Sequence, residues 1–405
     1  MRIIVQKFGG TSLSDKQKRI SAAKMALDAK NKGLTPVIVV SAIGRKGDAY
    51  ATDTFIDFAN SISGSTEARE LDLIMSVGEI ISAVIMANTL KSMGCEAVAL
   101  TGGQAGIITN ESYGMADIIE VRPDNIKEYI RNGKVPVIAG FQGASKCGEI
   151  TTLGRGGSDT TAAILGEALG AEMIEIYTDV DGIMTADPRI VRTACKLEFL
   201  SYSELLQMAN HGAKVIHPSA VAIAMRSGIP IVIKNVESDS KGTLIRSRQE
   251  MGIAYNNGRR AVTSVTHMTG RAQIDVCYDT GCIGEEILRQ IAENRISIDM
   301  INIFPGRMVF TIDEKHLSRI REILTDKNVK FAATDNLSKV SVVGELMHGT
   351  PGIMYRIIRA LTERSIKVLQ TSDSHMTISC LISAEETVKA VTALHDEFRL
   401  GTLTG

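Results

Sequence analysis

The chain has no tryptophan, and aromatic residues make up only 4% of its 405 residues. A stacking platform for nucleic-acid bases is therefore not expected. Neither sign of charge dominates: 45 Lys and Arg stand against 46 Asp and Glu, a formal net charge of −1. A dedicated nucleic-acid or membrane-surface binder usually shows its basic face in the total, so no nucleic-acid or membrane partner is expected. Six cysteines, at 95, 147, 195, 277, 282 and 380, include no C-x-x-C pair. Their spacing fits neither a disulfide framework nor a zinc site, and reads as buried thiols in a reducing cytoplasm. No apolar run approaches the roughly 20 residues that span a bilayer. The opening Met1-Arg2-Ile3-Ile4-Val5 meets Lys7 before a signal-peptide core can form. Walker A, protein-kinase Asp-Phe-Gly and kinase catalytic-loop motifs are all missing. A phosphotransferase made from this sequence would need another fold.

What is present is an ordinary globular mixture, 44% hydrophobic and 22% charged. At about 150 residues per domain the length predicts two to three domains. Short apolar, β-branched runs lie at 3–5, 37–40, 97–100, 135–139, 173–176 and 231–233. They suit strands buried between two helical layers. Helical patterns at 15–29, 71–90 and 160–169 alternate with them. That rhythm predicts an α/β three-layer sandwich on a largely parallel sheet. We place this domain at 1–246, followed by a polar linker at 247–262 containing the turn signal Asn256-Asn257-Gly258.

The remainder repeats itself at an offset of 70 residues: Ile287-Leu288-Arg289 matches Ile357-Ile358-Arg359, Glu293 matches Glu363, and Ile296 matches Ile366. Each copy has the order of a ferredoxin-like β-α-β-β-α-β unit. Two α+β modules are expected, at 263–335 and 336–405.

Two glycine loops carry the chemistry. Gly9-Gly10 follows the first strand, behind Lys7 and ahead of Thr11-Ser12. Glycine lets backbone N–H groups approach an anion, and Lys adds a compact positive charge. The second loop, Thr152-Leu153-Gly154-Arg155-Gly156-Gly157-Ser158-Asp159, opens a helix. A helix N-terminus attracts anions, and Ser158 or Asp159 is expected as its cap. It is not a dinucleotide fingerprint, because Asp159 stands where a third Gly is required. Gly102-Gly103-Gln104-Ala105-Gly106 reads as a structural turn, and His217-Pro218 as a helix entrance.

These loops, together with Lys7-Phe8-Gly9-Gly10-Thr11-Ser12, Ser76-Val77-Gly78-Glu79, Thr178-Asp179-Val180-Asp181-Gly182, Thr185-Ala186-Asp187-Pro188-Arg189 and Gly212-Ala213-Lys214-Val215-Ile216-His217-Pro218, resemble the aspartokinase family. The motifs fall in the family's order over nearly the whole chain. The repeated tail resembles tandem ACT regulatory domains. Leu369-Gln370-Thr371-Ser372-Asp373-Ser374-His375 and Gly47-Asp48-Ala49-Tyr50-Ala51-Thr52-Asp53 are most similar to the Bacillus-type, diaminopimelate-sensitive isozyme.

The resemblance implies an amino-acid-kinase-type fold and transfer of the ATP γ-phosphoryl group to the β-carboxylate of L-aspartate. The product opens the routes to diaminopimelate and lysine, threonine and methionine. Lys7 and Asp159 are the implied catalytic pair. Lys7, Phe8, Gly9, Gly10, Ser41, Thr178, Asp179, Met184, Asp187, Arg189 and Lys214 are implied at the nucleotide. Thr52, Glu79, Arg155, Gly156, Gly157 and Ser158 are implied at aspartate, with Glu79 on the ammonium and Arg155 on the α-carboxylate. Mg²⁺ is expected to arrive with ATP, with no metal site of the protein's own. For the tail, the resemblance implies a homodimer through the ACT modules. Feedback by meso-diaminopimelate or lysine is implied, with Asp299, Asn302, Gln370 and Asp373 as contacts. Thr280-Gly281-Cys282 departs from the Pro-Gly turn that Thr350-Pro351-Gly352 keeps, which puts a ligand on the first module in doubt. Fusion to homoserine dehydrogenase is not expected, since the second module ends the chain at Gly405. The rival readings are another amino-acid kinase of the same fold, acting on glutamate or N-acetylglutamate, and a catalytically dead amino-acid sensor.

Overall fold

The computed structural model describes residues 1–44, 46–213, 215–251, 261–278 and 283–402. Lys214, the 280–282 turn and most of the expected linker lie outside the described residues.

In chain order the elements are β1 (Ile3–Phe8), α1 (Lys16–Asn31), β2 (Thr35–Val40), α2 (Thr52–Ser63), α3 (Ala68–Ser92) and β3 (Ala97–Leu100). Next come β4 (Ile107–Thr109), β5 (Ile118–Val121), α4 (Asp124–Arg131) and β6 (Val135–Ala139). A hairpin of β7 (Gln142–Ser145) and β8 (Ile150–Thr152) leads into α5 (Gly157–Leu169) and β9 (Met173–Thr178). The series continues with β10 (Phe199–Ser201), α6 (Tyr202–Asn210), α7 (Pro218–Ser227), β11 (Ile231–Asn235) and β12 (Thr243–Arg246).

All six expected strands fall in one eight-stranded sheet, ordered β10-β12-β11-β9-β1-β2-β6-β3. Every neighbouring pair is parallel except β11 with β12. On one face Phe8, Ile38, Val40 and Val137 pack against Ala22 and Ala26 of α1 and Ala83 and Met86 of α3. Helices α5 and α7 pack together, with α5 against β1. A separate four-stranded sheet, β5-β4-β7-β8, carries the hairpin that delivers the second glycine loop. Sequence reading missed it, because its strands are three or four residues long.

Helix α3 corrects the reading of the apolar runs. By length and composition it could cross a membrane. Here it is a core helix whose buried face carries Asp72, Ser76 and Glu79.

Packing divides the chain into two units. The first comprises Met1–Ile183, Lys196–Ala209 and Lys214–Asn257; the second takes Met184–Cys195, Asn210–Ala213 and Gly258–Gly405. The division therefore does not follow chain order at 246. The reason is local. Ala186 and Val191 join the second unit's core, Thr185 Oγ1 lies 2.9 Å from His395 Nε2, and the Thr185 carbonyl accepts the Val265 N–H at 2.8 Å.

The second unit contains β13 (Ser264–Cys277), α8 (Ile283–Glu293), β14 (Asp299–Phe304), β15 (Arg307–Asp313), α9 (Leu317–Asp326) and β16 (Lys330–Val343). It continues through α10 (Ile353–Glu363), β17 (Gln370–Asp373), β18 (Thr377–Ser383) and α11 (Thr387–Glu397). Both repeats share one sheet, β14-β15-β13-β16-β18-β17. The long strands β13 and β16 serve both modules. Residues 271–277 pair with β15, whereas 264–268 pair with 339–343 beside β18. The second module thus takes its fourth strand from ahead of the first, and the first is inserted within it. A cut between 335 and 336 does not separate them, because it passes through β16.

Candidate active site

The parallel strands deliver their carboxyl ends to one side of the sheet, where ligands bind in open α/β folds. A pocket of about 280 Å³ opens there. It is lined by Lys7 from β1, Ser41 after β2, Phe141 after β6, Thr52 of α2, Glu79 of α3 and residues 154–159.

Strand alternation decides what β1 contributes. Phe8 turns into the core, is fully buried and stacks on Tyr177 at 4.7 Å. Its side chain is therefore not a nucleotide contact, which corrects that expectation. Lys7 turns the other way. Its Nζ lies 2.8 Å from Asp159 Oδ1, and each side chain is only 12% exposed. Asp159 Oδ2 accepts the His217 N–H at 3.2 Å.

The capping expectation also fails. Gly156, left-handed at φ +71, caps α5 without a side-chain bond. Asp159 sits inside the first turn, so its carboxylate is free to hold Lys7. A Cβ on Gly156 would fall 2.2 Å from the His217 ring, so this glycine makes room for the helix entrance. His217 caps α7, its ring accepting from Ser219.

The two glycines after β1 differ. The Gly9 N–H is already committed to the Tyr177 carbonyl at 3.1 Å, and so is not a phosphate donor as expected. Gly10 is required by packing, since a Cβ there would fall 2.2 Å from the Ala42 carbonyl. The turn at 102–106 is structural: Cβ atoms on Gly102 and Gly106 would overlap the carbonyls of Gln142 and Arg122.

Glu79 lies in the interior of α3 and is 4% exposed. Its Oε1 accepts the Ala42 N–H at 3.1 Å, and its Oε2 is buried without a hydrogen-bond partner. Burial pushes this carboxyl up to about 8, against the pull of the Ala42 N–H and the Lys7 charge. Arg155, lining the same pocket, is exposed on the loop and makes no ion pair among the described residues. The pocket therefore presents a free guanidinium, an ammonium held by a carboxylate, and a desolvated acid.

The raised value predicts a stability signature. The protonated form favours folding at low pH, and that contribution is lost as pH rises from the unfolded value of about 4.3 through about 8. Glu79→Gln cannot ionise. Its ligand-free melting temperature, relative to wild type, should climb between about pH 5 and about pH 9. A difference that stays constant over that range contradicts the raised value.

Thr178 ends β9 and its hydroxyl donates to Asp179 at 3.2 Å, both within the first unit. Met184, Asp187 and Arg189 belong to the second unit, where Arg189 makes a forked ion pair with Asp187 at 2.7–3.2 Å. Sequence reasoning missed Phe141 as a lining residue. It holds φ +68 without being glycine, and no local signal announces that. Gly154, quoted in the loop but given no role, also lines the pocket.

In the second unit two of the four expected effector contacts, Gln370 and Asn302, meet. Gln370 donates to Asn302 Oδ1 at 2.7 Å and to the Met300 carbonyl, and accepts from Gln273 at 2.9 Å. Asp299 is paired with the buried Lys339. Asp373 stands apart, exposed at the end of β17.

A parallel sheet carrying a strand-end Lys, a glycine loop at a helix start and a small-molecule pocket between them defines a phosphotransferase of the amino acid kinase class. The sequence profile of the amino acid kinase family matches residues 2–235, and that of the ACT domain matches 340–398. Aspartokinase 1 of Bacillus subtilis is 42% identical over 402 residues, covering 99% of this chain and all of that protein. Aspartokinase of Geobacillus stearothermophilus is 36% identical, covering 99% and 98%. The fold matches Escherichia coli aspartokinase III, solved with aspartate and ADP, at TM-score 0.82 and 23% identity, covering 98% and 99%. Aspartate kinase of Clostridium acetobutylicum matches at TM-score 0.78 and 25% identity, covering 98% and 100%. The chain belongs to the aspartokinase family.

Proposed function

We propose that this pocket joins L-aspartate to the γ-phosphoryl group of ATP, giving 4-phospho-L-aspartate. The observation that carries the reading is the convergence of Lys7, Glu79 and Arg155 on one small opening. The nucleophile needs no base: an aspartate side chain has a pKa of about 3.9 and is ionised near neutrality. The obstacle is bringing one anion to another, so catalysis rests on positioning and charge neutralisation. In this reading Lys7, steered by Asp159, meets the γ-phosphate. Arg155 forks the α-carboxylate, and the unpartnered Glu79 oxygen takes the ammonium, whose charge draws the buried carboxyl into its ionised form. Thr52, Gly156, Gly157 and Ser158 complete the aspartate side. Gly10, Ser41, Thr178, Asp179 and Lys214 serve the nucleotide. Mg²⁺ rides on the phosphates, which suits an ion that keeps its waters.

The free guanidinium and acid favour a free α-amino acid over N-acetylglutamate, whose nitrogen carries no charge. A phosphotransfer assay over aspartate, glutamate and N-acetylglutamate tests this: turnover with aspartate alone supports the reading, and preference for either other acid ends it. Asp179→Ala should mainly raise KM for ATP; a selective loss of aspartate affinity would reverse the site's orientation.

The tail is proposed to impose feedback by meso-diaminopimelate or lysine through Asp299, Asn302, Gln370 and Asp373, in a cytoplasmic homodimer joined by ACT modules. An inhibitor must bind the less active state more tightly. Activity unmoved by either amino acid at millimolar concentration removes this part.

A further inference from the structure

We propose that Asp72 is a positioning residue for the aspartate pocket. It ties the second glycine loop to the helix face that carries Glu79. The proposal rests on the reading above, in which Glu79 and Arg155 hold the two ends of aspartate.

Asp72 is completely buried and, among the described residues, has no ion-pair partner. Three donors converge on it instead. Oδ1 accepts the Thr152 hydroxyl at 2.7 Å and Oδ2 accepts the Thr152 N–H at 2.8 Å. The Gly114 N–H is shared between the oxygens at 2.9 and 3.0 Å. Burying a carboxylate is costly unless its oxygens are satisfied. An amide could keep the two backbone donors on its oxygen, but it would face the Thr152 hydroxyl with an NH2, forcing that hydroxyl to accept, and would exchange charge-assisted bonds for weaker neutral ones.

The tie matters because of what lies at each end. Thr152 closes β8, and Gly154-Arg155-Gly156 follows at once. On a helix of 3.6 residues per turn, residues seven apart face the same way, about 10 Å apart along the axis. Asp72 and Glu79 therefore share the buried face of α3. Ser76, between them, accepts the Gln142 amide on its carbonyl at 3.0 Å. Gln142 is the register partner of Thr152 in the β7–β8 hairpin. The hairpin is thus fastened at two points to the helix that carries Glu79, and the loop bearing Arg155 starts from that fastened end.

The test is steady-state kinetics on the full-length enzyme with both substrates varied. Asp72→Asn and Thr152→Val should each raise KM for aspartate at least about tenfold while KM for ATP moves less than about twofold. Thr152→Ser, which keeps the hydroxyl, should stay within about twofold of wild type for both. Should Asp72→Asn fail to fold, the Thr152 pair decides alone. Equal rises in both KM values, or an unchanged aspartate KM in the folded variants, would overturn the proposal. Arg155→Ala separates the levels. If it raises aspartate KM while Asp72→Asn and Thr152→Val do not, only the positioning role is lost. If Arg155→Ala also leaves aspartate KM unchanged, the pocket reading itself fails.

Discussion

Lys7→Ala should lower kcat at least about a hundredfold, the cost typical of removing one donor aimed at developing transition-state charge. Lys7 sits at the end of a buried strand, and its ammonium is already steered by Asp159 at 2.8 Å. Little reorganisation is needed when phosphate charge builds beside it. The substitution has a second consequence that must be separated from the first. It leaves Asp159 buried without its cation, and breaking a buried pair costs roughly 3–5 kcal/mol. A Lys7→Ala, Asp159→Asn double variant should recover much of the lost stability without recovering turnover. Near-normal turnover in the purified single variant defeats the assignment, and recovery of activity in the double variant would show the pair to be structural only.

The second large effect is expected at Arg155. Hydrogen bonds to charged groups contribute about 1.5–3 kcal/mol, so Arg155→Ala should raise KM for aspartate about ten- to a hundredfold. Because the side chain is exposed and unpaired among the described residues, its removal should barely change the melting temperature. Arg155→Lys should not restore affinity, since an ammonium cannot reproduce a planar fork. Unchanged aspartate KM with raised ATP KM would place the guanidinium on the nucleotide instead.

Much of this arrangement was legible in the residue order, for physical reasons. Buried parallel strands need unbroken apolar, β-branched runs, and all six such runs are strands of the main sheet. Lys7 and the loop at 152–159 were visible because glycine clusters beside charge have few other uses. The misreadings share a cause: tertiary neighbours decided what local chemistry left open. Asp159 is a good cap by type, but Lys7 and His217 take its oxygens. Gly9 looks like a phosphate donor, but β9 takes its N–H. Phe8 lies inside the motif, but strand alternation sends it to the core. The insertion of one ACT module in the other was hidden because β13 carries pairing partners for both modules on one continuous strand.

The central claim is that aspartate lies across the pocket between Arg155 and Glu79, with its β-carboxylate towards Lys7. A crystal structure of the enzyme soaked with aspartate and a non-hydrolysable ATP analogue tests it most directly. The account predicts the α-carboxylate forked on Arg155, the ammonium on Glu79 and the terminal phosphate beside Lys7. Aspartate bound away from Arg155 and Glu79, or a nucleotide whose terminal phosphate lies far from Lys7, would contradict it.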